Sequence, residues 1–189
     1  MPKILIVTGD GGESYEALYA LHRFQEEGWD TAVAAPSRRR MNLVMHDFQP
    51  GWDTYIERPG YGMEADLDFA AVRVEDYEAV MLLGGRAPEY LRNDEALLEL
   101  LREFDRAGKW LFSICHGIQI LAAAGLANGK NVTCYHHVKR EAELSGGKFV
   151  DQQMVRDGRV VTAQTWQSHP QFYREIFAVL RPAANAARS

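Results

Sequence analysis

The apolar run Trp110–Ile114 has the length of a strand and passes directly into Cys115-His116-Gly117 and then the apolar helical segment Ile118–Ala124. A strand and a helix joined with almost no loop must lie in different layers, so the chain has to build a sheet with helices stacked on it. The rest of the sequence keeps the same alternation. Lys3–Thr8 reads as a buried first strand and Gly9–Gly12 as a glycine-rich turn. Glu13–Glu27 reads as a helix, with Leu18, Leu21, His22 and Phe24 at three- and four-residue spacings and Gly28 as its stop. Thr31–Ala35 is the second strand, Ala79–Leu83 a further strand ending at Gly84-Gly85, and Asn93–Ala107 a helix stopped by Gly108. A short strand at Asn131–Cys134, a helix at Lys139–Leu144 and a turn at Gly146-Gly147 follow. Strands at Met154–Arg156 and Arg159–Ala163 precede a closing helix over Pro170–Leu180 and a tail, Ala183–Ser189, expected to fray. Pro36–Gly62 mixes prolines and glycines with aromatics and reads as an elaborated loop. The pattern predicts an α/β fold, a flavodoxin-like sandwich with a mostly parallel central sheet and helices on both faces, in one domain over residues 1–189.

Composition removes several function classes. A net charge of -5 argues against nucleic acid as a partner, because neutralising phosphates needs a surplus of Lys and Arg. No run approaches the roughly 20 apolar residues of a membrane helix, and Ile4–Val7 is too short for a signal peptide, so a soluble cytoplasmic protein with no membrane partner is expected. Two cysteines, Cys115 and Cys134, are too few for a disulfide framework or a four-cysteine zinc site. His136-His137 suggests a metal at first sight. Adjacent residues on an extended segment point to opposite faces and no third ligand follows at a fitting spacing, so no metal is expected.

A cysteine at a sharp strand-to-helix turn, flanked by the small residues Ser113 and Gly117, meets the demands of a nucleophile elbow: the turn lifts the sulfur above the sheet edge and the helix start favours thiolate. If the strands ending near residues 8, 83 and 114 are parallel, Gly9–Glu13, Gly84-Gly85 and Cys115 converge on one crevice beyond their carboxyl ends. The alternative is a cysteine that merely fills a small buried space. His116 is adjacent in sequence and reads equally well as structural. Trp166 and His169 either wall the crevice or pack the start of the last helix.

The chain resembles the ThiJ/PfpI superfamily, relatives of class I glutamine amidotransferase domains, over nearly its full length. The motifs are KILIVT with the following Glu13, HRFQEEG at residues 22–28, LLGGRAPE at 82–89, SICHGIQILAAAGL at 113–126 and VVTAQTW at 160–166. The resemblance implies Cys115 as nucleophile and Glu13 as the carboxylate hydrogen-bonded to its sulfur. It implies that Glu89 reaches the Cys-His pair of a neighbouring subunit, orienting His116 and favouring its charged form, so that self-association as a dimer or higher oligomer belongs to the mechanism. Backbone amides around Gly85 and His116 are the natural oxyanion donors, with Gly84 beside them. Glu16 lies one helical turn beyond Glu13 and is left unassigned.

Two further segments, HDFQPGWDTYIERPGY at 46–61 and VVTAQTWQSHPQF at 160–172, look like the plant two-domain branch of this superfamily, associated with glutathione-independent conversion of methylglyoxal to lactate. The expected function is therefore cofactor-independent cysteine chemistry on small reactive carbonyls, glyoxalase III-like or deglycase-like. A PfpI-type cysteine peptidase and a redox-responsive stress protein are the alternatives. This chain has one domain where that branch has two, so a second copy would supply the partner.

Overall fold

The computed structural model describes residues 3–186. Five strands form the parallel body of one sheet: β1 (Lys3–Val7), β2 (Asp30–Ala35), β6 (Ala79–Leu82), β7 (Trp110–Ile114) and β11 (Val160–Ala163). The two-residue β5 (Leu67–Asp68) extends it in parallel at one edge and β10 (Met154–Asp157) closes the other edge antiparallel, giving the order β10-β11-β7-β6-β1-β2-β5. Central strands buried on both faces are nearly continuous apolar runs, and every residue of β6 and β11 is buried, with Thr162 the one polar side chain among them.

Helix α1 (Ser14–Glu26) crosses from β1 to β2, while the connection from β6 to β7 runs the opposite way through α2 (Pro88–Leu91) and α3 (Glu95–Arg106). Right-handed crossovers in opposite directions put α1 and α3 on opposite faces. The last helix, α6 (His169–Ala186), joins α1 through Phe24–Phe177 and Tyr19–Tyr173 ring contacts at 5.6 and 5.0 Å. On the other face α4 (Ile118–Ala123) is tied to α3, since Arg102 Nε donates to the carbonyl of Ala124 at 3.2 Å. The strand order reverses between β1 and β6, so a crevice opens there beyond the carboxyl ends, the usual place for a ligand in such a sheet.

Several boundaries differ from the sequence expectations. The expected loop over Pro36–Gly62 is largely a two-stranded antiparallel ribbon, β3 (Arg40–Asp47) and β4 (Ile56–Glu64), with a register irregularity between Asn42 and Val44. That irregularity and Pro59 within β4 break the two-residue alternation a strand is read from. The helix expected over Asn93–Ala107 begins at Glu95, where Asp94 accepts from Leu97 N, and the short α2 precedes it. The strand expected over Asn131–Cys134 shrinks to β8 (Asn131–Val132), paired with β9 (Lys148–Phe149) outside the main sheet, ahead of α5 (Lys139–Leu144). His22 is exposed and takes no part in the buried face of α1. Residues 183–186 of the expected frayed tail continue α6, and 187–189 lie outside the described residues. Among the described residues no helix is long and apolar enough to cross a membrane.

Candidate active site

Cys115 opens the turn between β7 and α4 with φ of 57°, the only positive φ on a residue other than glycine among those described. An L-residue is strained in that conformation, and a strained strand-to-helix turn is how a side chain is presented above a sheet. Gly117 has to be small, because a Cβ there would sit 2.5 Å from the carbonyl oxygen of Leu82. The neighbouring loop is equally constrained. Gly85 has φ of 78°, and a Cβ on it would lie 2.3 Å from Glu13 N. The three glycine-bearing loops thus converge: Glu13 N donates to Gly84 O at 3.2 Å, and Gly12 and Gly85 form an isolated bridge.

The sulfur's surroundings differ from expectation in one respect. Glu16, not Glu13, is the carboxylate at Cys115. It is fully buried, and its Oε2 accepts from Gly84 N at 2.7 Å. A Cβ placed on Gly84 would be 2.9 Å from that same oxygen and 3.1 Å from Cys115 Sγ. Burial and then the charge of Glu13 outweigh the Gly84 amide and the neighbouring Cys115 thiol, and push Glu16 up to about 8. Glu13 caps α1, accepting from Tyr15 N at 3.3 Å, and burial raises it to about 7 against the amides of Tyr15, His46 and Ser14.

Cys115 is only 6% exposed. Burial, then the Glu16 carboxylate, drives its thiol well above the ordinary range, while the amides of His116 and Gly85 pull the other way. Those two amides are the pair expected to serve an oxyanion, and both face the sulfur. His116 Nδ1 lies 3.2 Å from Sγ. Within a single chain burial lowers His116 to about 4, helped by His46 and His137.

The ribbon forms the roof. His46 and Tyr55 approach the His116 ring at 6.3 and 5.7 Å, and Tyr135 at 5.1 Å. The roof is clipped down by charge: Arg86 meets both carboxylate oxygens of Glu57, and Glu57 Oε2 lies 3.0 Å from His46 Nε2. His46, Tyr55 and Glu57 were missed in the sequence because they sit in the segment read as loop. The available signal, for His46 alone, was the apolar Leu43-Val44-Met45 run just before it.

Of the remaining candidates, Glu89 is exposed on α2. Trp166 walls the crevice, its Nε1 donating to the His46 carbonyl at 3.1 Å. His169 does not line it. It is buried between α1 and α6, stacked on Tyr19 at 4.3 Å, with both ring nitrogens unpartnered and burial lowering it to about 4. His136 and His137 lie on a single 3-10 turn and not on an extended segment, and His137 Nε2 is 2.8 Å from the Asp53 carbonyl. No group of three or more potential metal ligands occurs among the described residues.

Comparison with known proteins gives a consistent picture. The model of the DJ-1/PfpI family matches residues 2–179. Protein DJ-1 homolog D of Arabidopsis thaliana is 36% identical over 94% of the chain, which spans only 47% of that longer relative. A deglycase from Pyrococcus horikoshii is 33% identical over 95% of this chain and 99% of its own length. A ThiJ/PfpI domain protein from Brachyspira murdochii, 22% identical, superposes with a TM-score of 0.82 over 96% of both chains, a likeness of fold.

Proposed function

The chain belongs to the DJ-1/PfpI family, and on that premise we propose that it is a cysteine enzyme converting small α-oxoaldehydes to α-hydroxy acids without glutathione, the chemistry a deglycase would share. The carrying observation is the buried trio of Cys115, Glu16 and His116 beneath two converging amides. The family includes relatives named deglycases, and those of similar length align end to end.

In the proposed cycle Cys115 Sγ adds to the aldehyde carbon, and its proton passes by way of His116 to the aldehyde oxygen, giving a thiohemiacetal. Developing charge on that oxygen meets the Gly85 and His116 amides. Glu16 then removes the C1 proton and returns one to the C2 carbon while the C1 hydroxyl proton passes to the C2 oxygen, so C1 is oxidised and C2 reduced with no external oxidant. A base near the working pH is what such a transfer needs, and burial puts Glu16 there. Water hydrolyses the resulting thioester, supplying the acid's second oxygen and restoring the thiol. No organic cofactor or metal enters this scheme.

The near-complete burial of Cys115 under the ribbon favours a small carbonyl over a peptide, which needs an open groove. Glu89, exposed on α2, is free to face a second copy, and we place it against the partner's site in a homodimer. The test is lactate formation from methylglyoxal without glutathione by the wild type, Cys115→Ser and Glu16→Gln. Activity lost in both variants is expected; equal activity in Cys115→Ser removes the proposal. For the dimer, a Glu89→Ala protein that sizes as a monomer yet keeps full activity removes the shared site.

A further inference from the structure

Two tyrosine rings stand at the Cys-His pair, Tyr135 at 5.1 Å from the His116 ring and Tyr55 at 5.7 Å. Their hydroxyls are not equivalent. That of Tyr135 is committed to the ribbon, 3.5 Å from Thr54 Oγ1. The polar contacts around the pair join His46 to Glu57, Thr54 to Tyr135 and Cys115 to His116, and none among the described residues takes the Tyr55 hydroxyl. The half-buried Tyr55 is nonetheless held firmly. Its ring stacks on His46 at 3.9 Å and 20°, sets its edge against His116 at 83°, and meets the Tyr135 ring at 5.6 Å. A phenol fixed by three rings, with its O–H left over, is preorganised to donate to a ligand.

The hydroxyl is near the sulfur without bonding it. Burial first, then the charge of Cys115, push Tyr55 up to about 12, while the side-chain partner of Sγ is His116 Nδ1 at 3.2 Å. The other polar groups of the site already have work. The Gly85 and His116 amides face the sulfur, where the oxygen on C1 arises, and Glu16 serves protons on carbon. The oxygen on C2 has no donor among them.

We infer that Tyr55 is a further catalytic residue, whose hydroxyl hydrogen-bonds the C2 oxygen of a substrate held on Sγ and relays to it the proton of the C1 hydroxyl. The inference rests on the functional reading above and adds the group that serves the second oxygen. Glu16 takes the C1 proton, the C1–H electron pair becomes a C1–C2 double bond, and the C2 carbonyl pair moves to its oxygen, which takes the Tyr55 proton. As the C1 oxygen re-forms its carbonyl, its hydroxyl proton passes to the phenolate, and the double-bond pair takes up at C2 the proton returned by Glu16. Tyr55 ends as it began. A phenol near 12 stays protonated over the whole range in which Glu16, near 8, becomes a base, so the donor is loaded whenever the base is ready.

Tyr55→Phe keeps the ring and removes only the hydroxyl. Its turnover of methylglyoxal is expected to lose at least a hundredfold in kcat with KM within about threefold, while iodoacetamide labels Cys115 within about twofold of the wild-type rate. A kcat within about threefold of the wild type overturns the inference. A labelling rate that falls in step with kcat also overturns it, since that is the mark of a packing role. Protection of Cys115 from iodoacetamide by methylglyoxal and by propanal, which has no oxygen on C2, separates this inference from the reading it rests on. In Tyr55→Phe half-protection should need at least threefold more methylglyoxal and an unchanged concentration of propanal. That result supports Tyr55 at the C2 oxygen even if the wild type forms no lactate, an outcome that sinks only the functional reading. Equal half-protection by methylglyoxal in both proteins overturns the contact even if lactate forms.

Discussion

Glu16 and Cys115, one from the first helix and one from the turn after the fourth parallel strand in chain order, face the same point above Gly84. A Cβ there would stand 2.9 Å from the Glu16 Oε2 and 2.5 Å from the Cys115 Cβ. Sulfur and carboxylate can approach each other only because that residue has no side chain.

Gly84→Ala is therefore expected to push the pair apart. The collision partners include a Cβ, which cannot swing away, so overpacking should cost about 1–3 kcal/mol of stability. Activity should fall as well, by at least a hundredfold, because the transfer requires contact. Urea denaturation and initial rates on one preparation check both. A variant that loses stability in this range yet keeps its rate would show that the approach of Glu16 to the sulfur is not needed.

Burial of Glu16 also makes a statement about pH. Its folded value near 8 stands above the ordinary 4.5, so between these pH values the unfolded chain has released a proton that the folded chain keeps. Stability from this group is fully present below about pH 4.5 and is lost as pH rises towards 8. Glu13, raised to about 7, adds a slope of the same sign. Glu16→Gln cannot ionise and should be the more stable protein at pH 8, by a few kcal/mol at most, since a tenfold change in proton affinity is worth about 1.4 kcal/mol. Urea midpoints at pH 5 and pH 8 measure it. An unchanged drop in midpoint between the two pH values would place the cost elsewhere.

The ribbon's charge clip should act on binding more than on folding. Arg86 and Glu57 are 49 and 31% exposed at their side chains, and ion pairs this open contribute about 1 kcal/mol or less. Yet the clip fixes His46 through Glu57, and with it the ring that approaches His116. Arg86→Ala is expected to shift the melting temperature by only a few degrees while raising KM about tenfold with a smaller change in kcat. A large loss of melting temperature with unchanged KM would make the clip purely structural.

What the sequence disclosed and withheld follows from how local each feature is. The elbow was legible because strand, Cys115 and helix are contiguous, and the convergence of three glycine loops follows from parallel strands alone. The ribbon was not, because its pairing is decided by contact with the loop after β1: Val44 N donates to Gly12 O at 2.8 Å and Gly11 N to Asn42 O at 2.8 Å. The choice between Glu13 and Glu16 was also withheld. Three residues apart on one helix, they share a face, and only the exact helix start decides which caps and which points inward. A carboxylate directly ahead of Ser14-Tyr15 was a capping signal that outranked its place in the motif.

Thiol reactivity tests the site without any substrate. Cys134 is wholly buried and pushed up to about 12, first by burial and then by Glu141 and Glu143. Cys115 is also raised by burial, but it lies at the crevice with two amides drawn towards its sulfur. Iodoacetamide should therefore modify Cys115 before Cys134, slowly at neutral pH and faster as pH rises. Glu16 sets the second part of the expectation. At pH 6 its carboxyl is protonated and Glu16→Gln should label at nearly the wild-type rate. At pH 9 the wild-type carboxylate is charged and opposes the thiolate, so the variant should label several-fold faster. Mass spectrometry of the two cysteine peptides over time reads both outcomes. Earlier labelling of Cys134 would refute the elbow, and equal rates at pH 9 would show that the charge of Glu16 does not govern the sulfur.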